Sequence, residues 1–181
     1  MVKPNEYADL SEGPSFVERS VISPSTSGEG LEKPQMSAPL YNSQILRLAA
    51  SIPHLKRIAA PAGSIERRSP ICGSRVTVDV DIDTEGRIAA LGLEVRACAL
   101  GQASAALMGA HAIGRSLADM RQARAALAAF LAGERDDPGD WPGLDIFLPA
   151  RPHSARHPSI RLAFEAAEAA LAQALASRGG G

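Results

Sequence analysis

The fold of this chain is decided by residues 72–98, CGSRVTVDVDIDTEGRIAALGLEVRAC, in which apolar and polar residues alternate before and after a turn. Valine or isoleucine occupies every second position from Val76 to Ile82, with polar residues between them. This period of two is typical of a strand with one buried face. The sequence Thr84-Glu85-Gly86 favours a turn, after which residues 87–97 return as a second strand. The stretch therefore predicts an antiparallel hairpin.

The predicted hairpin brings together the two cysteines of the chain, Cys72 and Cys98. A three-residue loop centred on Glu85 would place them opposite each other, whereas a two-residue loop or a β-bulge would shift the pairing. We therefore expect the thiols to lie within about one residue of direct opposition. Such a pair can form a disulfide, half of a metal site or two buried apolar groups.

The positions of the cysteines indicate a chemical role. Cys98 stands where the second strand gives way to a helix rich in small residues. A thiolate at a helix N-terminus gains from the dipole and from free N–H groups, which lower its pKa and favour metal binding or attack on sulfur. Cys72 lies between Pro70 and Gly73, in a turn where a side chain is commonly exposed.

Helices are predicted on both sides of the hairpin, from apolar residues at helical spacing and from capping residues. They cover residues 43–50, with Ser43 as the cap, and residues 99–114, 116–132 and 159–177. The turn-rich segment 136–158 carries Trp141 and Phe147, which we expect to dock on the body. The pattern predicts an α+β fold, a small antiparallel sheet of about three strands covered by helices.

The first 35 residues have a different character. Four prolines are spread through them, and they show neither a helical nor an alternating apolar period. Such a segment cannot bury enough apolar surface to offset its ordering entropy. We predict a disordered tail over residues 1–35 and one domain over residues 36–178.

Composition excludes several classes of protein. The formal net charge of −1 supplies no basic field, which argues against nucleic-acid binding. No run approaches the roughly 18 apolar residues that a membrane span needs, and no signal peptide is recognisable, so we expect a cytoplasmic protein without a membrane partner. Two cysteines are too few for a disulfide-stapled secreted domain.

The motif Ser69-Pro70-Ile71-Cys72-Gly73, followed by the hairpin and by Cys98 at the start of an Ala- and Ser-rich helix, resembles the IscU/NifU/SufU family. The resemblance covers roughly residues 41–176. It implies a SufE/NifU-like fold and a scaffold rather than an enzyme. Members of this family accept sulfur from a cysteine desulfurase, assemble an iron-sulfur cluster or hold zinc, and pass the product to recipient or carrier proteins.

The family resemblance also implies a ligand set. Its sites comprise three cysteines, an Asp shortly after the first, and in some members a His beside the third. Here the Asp position holds Ser74, and the third cysteine falls on Ser159, or on Pro158 if His157 is matched to the family's His. The resemblance therefore implies metal ligation by Cys72, Cys98 and His157, with the site lined by Ser74, Ser159 and Pro158.

Three functions follow from these residues. The first is a scaffold or carrier that binds iron or an iron-sulfur cluster, or else zinc, through its two cysteines. A hydroxyl is a poor ligand for soft metals, so water, a partner or a second subunit would complete the shell. The second is a protein-binding module that has lost metal binding. The third is an enzyme with Cys98 as nucleophile and His157 as base. His153 and His111 are weaker candidates as ligands.

Overall fold

A three-stranded antiparallel sheet forms the centre of the computed structural model, which describes residues 39–179. Its strands are β1, β2 and β3, in that spatial order, and they cover Gly63–Arg68, Arg75–Ile82 and Ile88–Arg96. The predicted hairpin is β2–β3 and is confirmed. The tail predicted over residues 1–35 lies outside the described residues.

The hairpin turn has the predicted three-residue loop, but a bulge changes the register beyond it. The N–H of Asp83 donates to the carbonyl of Arg87 at 2.9 Å, and the pairing of Ile82 with Ile88 continues that register. The next pair is shifted by one residue, because a β-bulge adds a residue to one strand. The shifted register then holds to the far end, from Asp81 with Ala90 to Arg75 with Arg96. Continued past the strands, it would place Cys72 opposite Ala99 and not Cys98.

Four α-helices are present in the described part of the chain, as predicted. They are α1 to α4, covering Ser43–Ala50, Ala99–His111, Leu117–Ala132 and His157–Gly179. Two 3₁₀ segments, Leu144–Ala150 and Ser154–Arg156, precede α4. The capping box predicted for α3 is formed by Ser116 and Asp119.

The helix ends differ from the predictions at three places. The cap of α1 is Asn42 and not Ser43, since its side chain accepts bonds from the N–H groups of Gln44 and Ile45. Helix α2 ends at His111 and not at Gly114. Helix α4 begins two residues early, because Pro158 in a first helical turn lacks only an N–H that would have no partner there.

Strand β1 was not located by the sequence patterns. Its sequence, GSIERR, has one large apolar residue, Ile65, which is only partly buried. The strand lies at the edge of the sheet, and its last three residues are exposed. It forms because it pairs with β2 and packs on α4, which are tertiary effects without a local signal.

The core lies between the sheet and the helices. Val76, Val78 and Val80 of β2 are fully buried, and α4 packs against both β1 and β2. Thr77 and Asp79, which point to the opposite face, are buried as well, so the prediction of a strand with one buried face is wrong for the middle of β2. Trp141 and Phe147 are buried, which confirms the docking of the turn-rich segment. In this arrangement the last residues of β1, the first residues of β2 and the last residues of β3 lie at the same end of the sheet, and helix α2 begins there.

Candidate thiol site

A tight loop between β1 and β2 holds the first cysteine. The N–H of Ser69 donates to the carbonyl of Ser74 at 2.8 Å and closes the loop. Gly73 has φ +67°, a left-handed conformation that favours glycine, and a Cβ at this position would meet no atom within 4 Å. Ile71 points outward with 63% of its surface exposed. The loop therefore presents Cys72 beside open solvent.

The two thiols are joined by a row of hydroxyl groups, which we name the thiol–serine row: Cys72, Ser74, Ser159 and Cys98. The Sγ of Cys72 lies 3.0 Å from the Oγ of Ser74. That oxygen lies 3.1 Å from the Oγ of Ser159, which in turn lies 3.3 Å from the Sγ of Cys98. Four side chains, two from the loop before β2 and one each from the starts of α2 and α4, thus meet in one hydrogen-bonded series.

The hydroxyl groups of the row are buried, whereas its thiols are half-buried. Ser74 and Ser159 are 3% and 0% exposed. Space for Ser159 depends on Gly101 of α2, where a Cβ would stand 2.5 Å from the Oγ of Ser159. Nearby, Ser104 donates to the carbonyl of Ile160 at 2.5 Å and ties α2 to α4. Packing therefore fixes the serines more firmly than the thiols.

The environment of Cys72 favours its thiolate. Burial raises the pKa of this thiol, but hydrogen bonds from the hydroxyls of Ser69, Ser74 and Ser159 and from the backbone of Ser74 lower it, to a net pKa of about 7. A large fraction of Cys72 is then ionised at neutral pH, which makes its sulfur a nucleophile. The Ser69 contact, at 3.2 Å, was not anticipated, although a serine in a turn three residues before the cysteine is a recognisable signal.

Cys98 is the N-cap residue of α2, as its position at the junction predicted. Its side chain makes no capping hydrogen bond to the helix, and its Sγ contacts Ser159 instead. Despite the register shift at the bulge, Cys98 is connected to Cys72 through the hydroxyls of Ser159 and Ser74.

The structure does not place His157 with the thiols. Its Nε2 lies 3.1 Å from the carbonyl oxygens of Ala150 and Arg151, so the ring holds the turn before α4. Pro158 lies in the first turn of the same helix, and the side chain that reaches the row is that of Ser159. Within residues 39–179, no three or more His, Cys, Asp and Glu side chains come together as a group that could hold a metal ion.

The two weaker histidine candidates also lie in other settings. His153 is exposed and precedes the second 3₁₀ segment. His111 ends α2 and packs edge-on against Trp141, with 6.4 Å between the ring centroids. Neither side chain takes part in the thiol–serine row.

The donor set of the row does not fit a resident cluster held by this chain alone. A closed tetrahedral site for zinc or iron takes four ligands, chiefly thiolate and imidazole. The row offers two thiols, and its other two members are hydroxyls that already bond to each other and to the thiols. The row consists of a thiol with a lowered pKa, Cys72, and a second thiol that is connected to it through two hydroxyls.

Solved structures that are similar to the chain include the following three. One is the N-terminal part of a nitrogen-fixing NifU-like protein from Brucella abortus, with 33% identity and a TM-score of 0.71 over 76% of this chain and 95% of that one. Another, from Fervidobacterium islandicum AW-1, is named as an iron-sulfur cluster assembly scaffold protein for the SUF system. It has 20% identity and a TM-score of 0.67 over 73% of this chain and 96% of that one.

The third is a hypothetical protein with 18% identity and a TM-score of 0.63, over 71% of this chain and 94% of that one. At such identities the second and third similarities show the fold alone. No protein-family model matches the chain, and no curated protein does. No helix in residues 39–179 is long and apolar enough to cross a membrane.

Proposed function

Because this chain belongs to the family of NifU-like iron-sulfur cluster assembly scaffold proteins, we propose that its two thiols carry sulfur for cluster assembly, with Cys72 as the acceptor. The observation that supports this function is the thiol–serine row, which combines an accessible thiol, buried hydroxyl donors and a second thiol. The low pKa of Cys72 is consistent with it. The expected donor is a cysteine desulfurase, and the expected recipients are iron-sulfur proteins or carriers.

Sulfur acceptance is an exchange between sulfur atoms without net oxidation or reduction. The Cys72 thiolate attacks the terminal sulfur of a persulfide on the desulfurase, and a new S–S bond forms as the old one breaks. The electron pair of the broken bond leaves with the desulfurase cysteine as a thiolate. The proton of the persulfide stays on the transferred sulfur or passes to solvent. The hydroxyls of Ser69 and Ser74 lie next to the Sγ of Cys72 and, by donating to the ionised sulfur, stabilise the attacking thiolate before the exchange.

Cys98 supplies the second thiol of the carrier. It lies at the other end of the row, linked to Cys72 through Ser74 and Ser159. Iron or a cluster at this end of the sheet would be cargo. The two thiolates would need further ligands from a partner protein to hold it. The function expected from this chain by itself is therefore transfer of sulfur and not storage of metal.

The proposal is tested by following persulfide formation. The wild type and the variants Cys72→Ser and Cys98→Ser are incubated with a cysteine desulfurase and cysteine, alkylated, and compared by intact mass and peptide mapping. We expect one added sulfur on the Cys72 peptide in the wild type, none at that position in Cys72→Ser, and retention of the Cys72 adduct in Cys98→Ser. Ser104→Ala, which alters a buried serine of the same helix pair outside the row, serves as a control and should behave as wild type.

A wild type that stays unmodified, in a reaction where the desulfurase itself carries persulfide, would refute sulfur acceptance. That result, together with unchanged binding of a partner protein by both cysteine variants, would favour a binding module without sulfur or metal chemistry. The serines at positions 74 and 159 are the feature that keeps this second function in view.

A further inference from the structure

We infer that Ser74 and Ser159 determine what the site carries: their hydroxyl pair keeps the two thiols available for sulfur and prevents this chain from retaining a metal ion. The inference rests on the proposed function, since it explains why a family scaffold would act as a sulfur carrier. It concerns the disagreement between the family's ligand set and the donors present in this chain.

The first step is that the hydroxyls are already engaged. Ser159 has neighbours on both sides, the Sγ of Cys98 at 3.3 Å and the Oγ of Ser74 at 3.1 Å. Ser74 in turn lies 3.0 Å from the Sγ of Cys72. A hydroxyl has one proton to donate, so a row of this kind is most stable when every member keeps its neighbour.

The second step is that metal binding would break the row. Both thiols must lose their protons to bind one ion, and each serine then donates its single proton to the neighbouring thiolate, so that none remains for the bond between Ser74 and Ser159. The two hydroxyls, buried at 3% and 0% exposure, would then have fewer hydrogen bonds than before. Coordination of the metal by these hydroxyls would compensate little for the lost hydrogen bonds, because zinc and iron in such sites prefer thiolate and imidazole to hydroxyl.

The third step is that sulfur transfer leaves the row in place. A persulfide adds one atom to Cys72, which is half-buried and stands in a loop beside the exposed Ile71. A Cβ on the neighbouring Gly73 would meet nothing within 4 Å, so this side of the loop is open. The contacts from Ser74 through Ser159 to Cys98 need not change. The row therefore tolerates sulfur and opposes metal.

The test converts the hydroxyls into metal donors and measures metal and sulfur separately. Zn²⁺ affinity is measured by competition with a chromogenic chelator for the wild type, Ser159→Cys, Ser74→Asp and the double variant. Co²⁺ serves as a spectroscopic probe of thiolate coordination. Persulfide formation is followed in parallel with a desulfurase. Ser104→Cys, which adds a third thiol to the same helix interface outside the row, is the matched control.

We expect Ser159→Cys to bind Zn²⁺ on the order of 100-fold more tightly than the wild type, since the loss of even an outer partner changes metal affinity about 10- to 100-fold. Its Co²⁺ complex should show stronger thiolate charge-transfer absorption. Ser74→Asp, which adds a harder ligand, should gain about tenfold. Ser104→Cys should stay at the wild-type affinity.

The inference is overturned if folded Ser159→Cys binds Zn²⁺ no better than Ser104→Cys, or if the wild type already binds as tightly as Ser159→Cys. Should Ser159→Cys fail to fold, an unchanged affinity in Ser74→Asp overturns it equally. In each of these cases a wild type that accepts sulfur leaves the proposed function standing. A wild type that accepts no sulfur refutes the proposed function and the inference with it.

Discussion

Two polar clusters, one on strand β2 and one beside the loop that precedes it, differ in how completely the hydrogen-bonding capacity of their groups is satisfied. Asp79, near the middle of the strand, is fully buried and accepts four hydrogen bonds, from Nε and Nη2 of Arg57, the hydroxyl of Ser64 and the N–H of Ile58. The thiol–serine row, just before the strand begins, has buried hydroxyls in its middle and half-buried thiols at its ends. Both clusters join segments that are distant in sequence.

The two clusters differ in whether their charged group is open to solvent. The carboxylate of Asp79 has its lone pairs occupied by donors from β1 and from the segment before it, so its contribution is to stability. Cys72 has comparable hydrogen-bond support for its charged form, yet its sulfur remains partly open to solvent. Similar physics thus produces a structural ion pair in one place and a nucleophile in the other.

The largest effect is expected from breaking the Asp79 cluster. An amide in Asp79→Asn turns an NH₂ group towards at least one donor and removes the charge that faces Arg57. We expect a loss of about 3 kcal/mol in the free energy of unfolding, measured by urea denaturation. Asp81→Asn is the matched control on the same strand. Within residues 39–179 its carboxylate accepts a hydrogen bond only from the N–H of Ala62, so a loss below about 1 kcal/mol is expected. Equal losses in the two variants would contradict the assigned role of Asp79.

The second effect tests whether the packing of α2 against α4 at Gly101 holds Ser159 in the row. In Gly101→Ala the new Cβ would stand 2.5 Å from the Oγ of Ser159 and 2.8 Å from the Cβ of Ala97. We expect a loss of about 2 kcal/mol by thermal or chemical unfolding, despite the better helix propensity of Ala. Gly109→Ala, in the same helix, meets the side chains of Pro53 and Leu93 at 3.1 and 3.2 Å and should cost less. The reverse order of stability would show that Ser159 is not held by this contact.

The third effect is the pH dependence of the Asp79 cluster. Burial raises the pKa of Asp79, but hydrogen bonds from Arg57, Ser64 and Ile58 outweigh it and leave the pKa lowered. A carboxyl whose pKa falls on folding stabilises the folded state above its unfolded pKa of about 3.9, and loses that contribution as the pH falls through the folded pKa. Between about pH 5 and pH 2, the free energy of unfolding should therefore fall less steeply for Asp79→Asn than for the wild type. Parallel curves would contradict the lowered pKa.

The smallest effect concerns the thiol–serine row, where the reactivity of Cys72 is expected to depend on Ser69. The Sγ of Cys72 donates to the hydroxyl of Ser69 at 3.2 Å, and after ionisation this hydroxyl turns to donate to the thiolate, which lowers the pKa. Ser69→Ala should therefore raise the pKa of Cys72 above its value of about 7. Alkylation of Cys72 by iodoacetamide at neutral pH should then slow roughly two- to fivefold. The rates of the wild type and the variant should converge at alkaline pH, where Cys72 is ionised in both proteins. Ser104→Ala is the control. A rate difference that persists at alkaline pH would indicate a change in access and not in ionisation.

Much of the fold could be predicted from local patterns. The alternation from Val76 to Ile82 and the turn at Glu85 correctly predicted the hairpin, although β2 is buried on both faces because Thr77 and Asp79 are covered as well. Capping residues placed α3 correctly at Ser116. Strand β1 escaped prediction because its one large apolar residue, Ile65, gives no period, and its pairing with β2 is tertiary.

The site was predictable only in part. The hairpin correctly predicted that Cys72 and Cys98 lie at the same end of the sheet. A β-bulge that no sequence motif indicates changed the register between them. The place of Ser159 between the thiols depends on α4 packing against α2 at Gly101, a contact between distant segments that spacing cannot reveal. His157 was expected beside the thiols, but its ring bonds to carbonyls of the adjacent turn, which capture it locally.

We expect the thiol–serine row to take sulfur and not to keep metal. The most direct measurement incubates the wild-type chain anaerobically with a cysteine desulfurase, cysteine and Fe²⁺, removes small molecules, and determines iron, acid-labile sulfide and sulfane sulfur on one sample. We predict one sulfane sulfur on the peptide that contains Cys72, with iron and acid-labile sulfide far below one per chain. Stoichiometric iron and acid-labile sulfide that require both Cys72 and Cys98, or a chain without bound sulfur, would contradict the account.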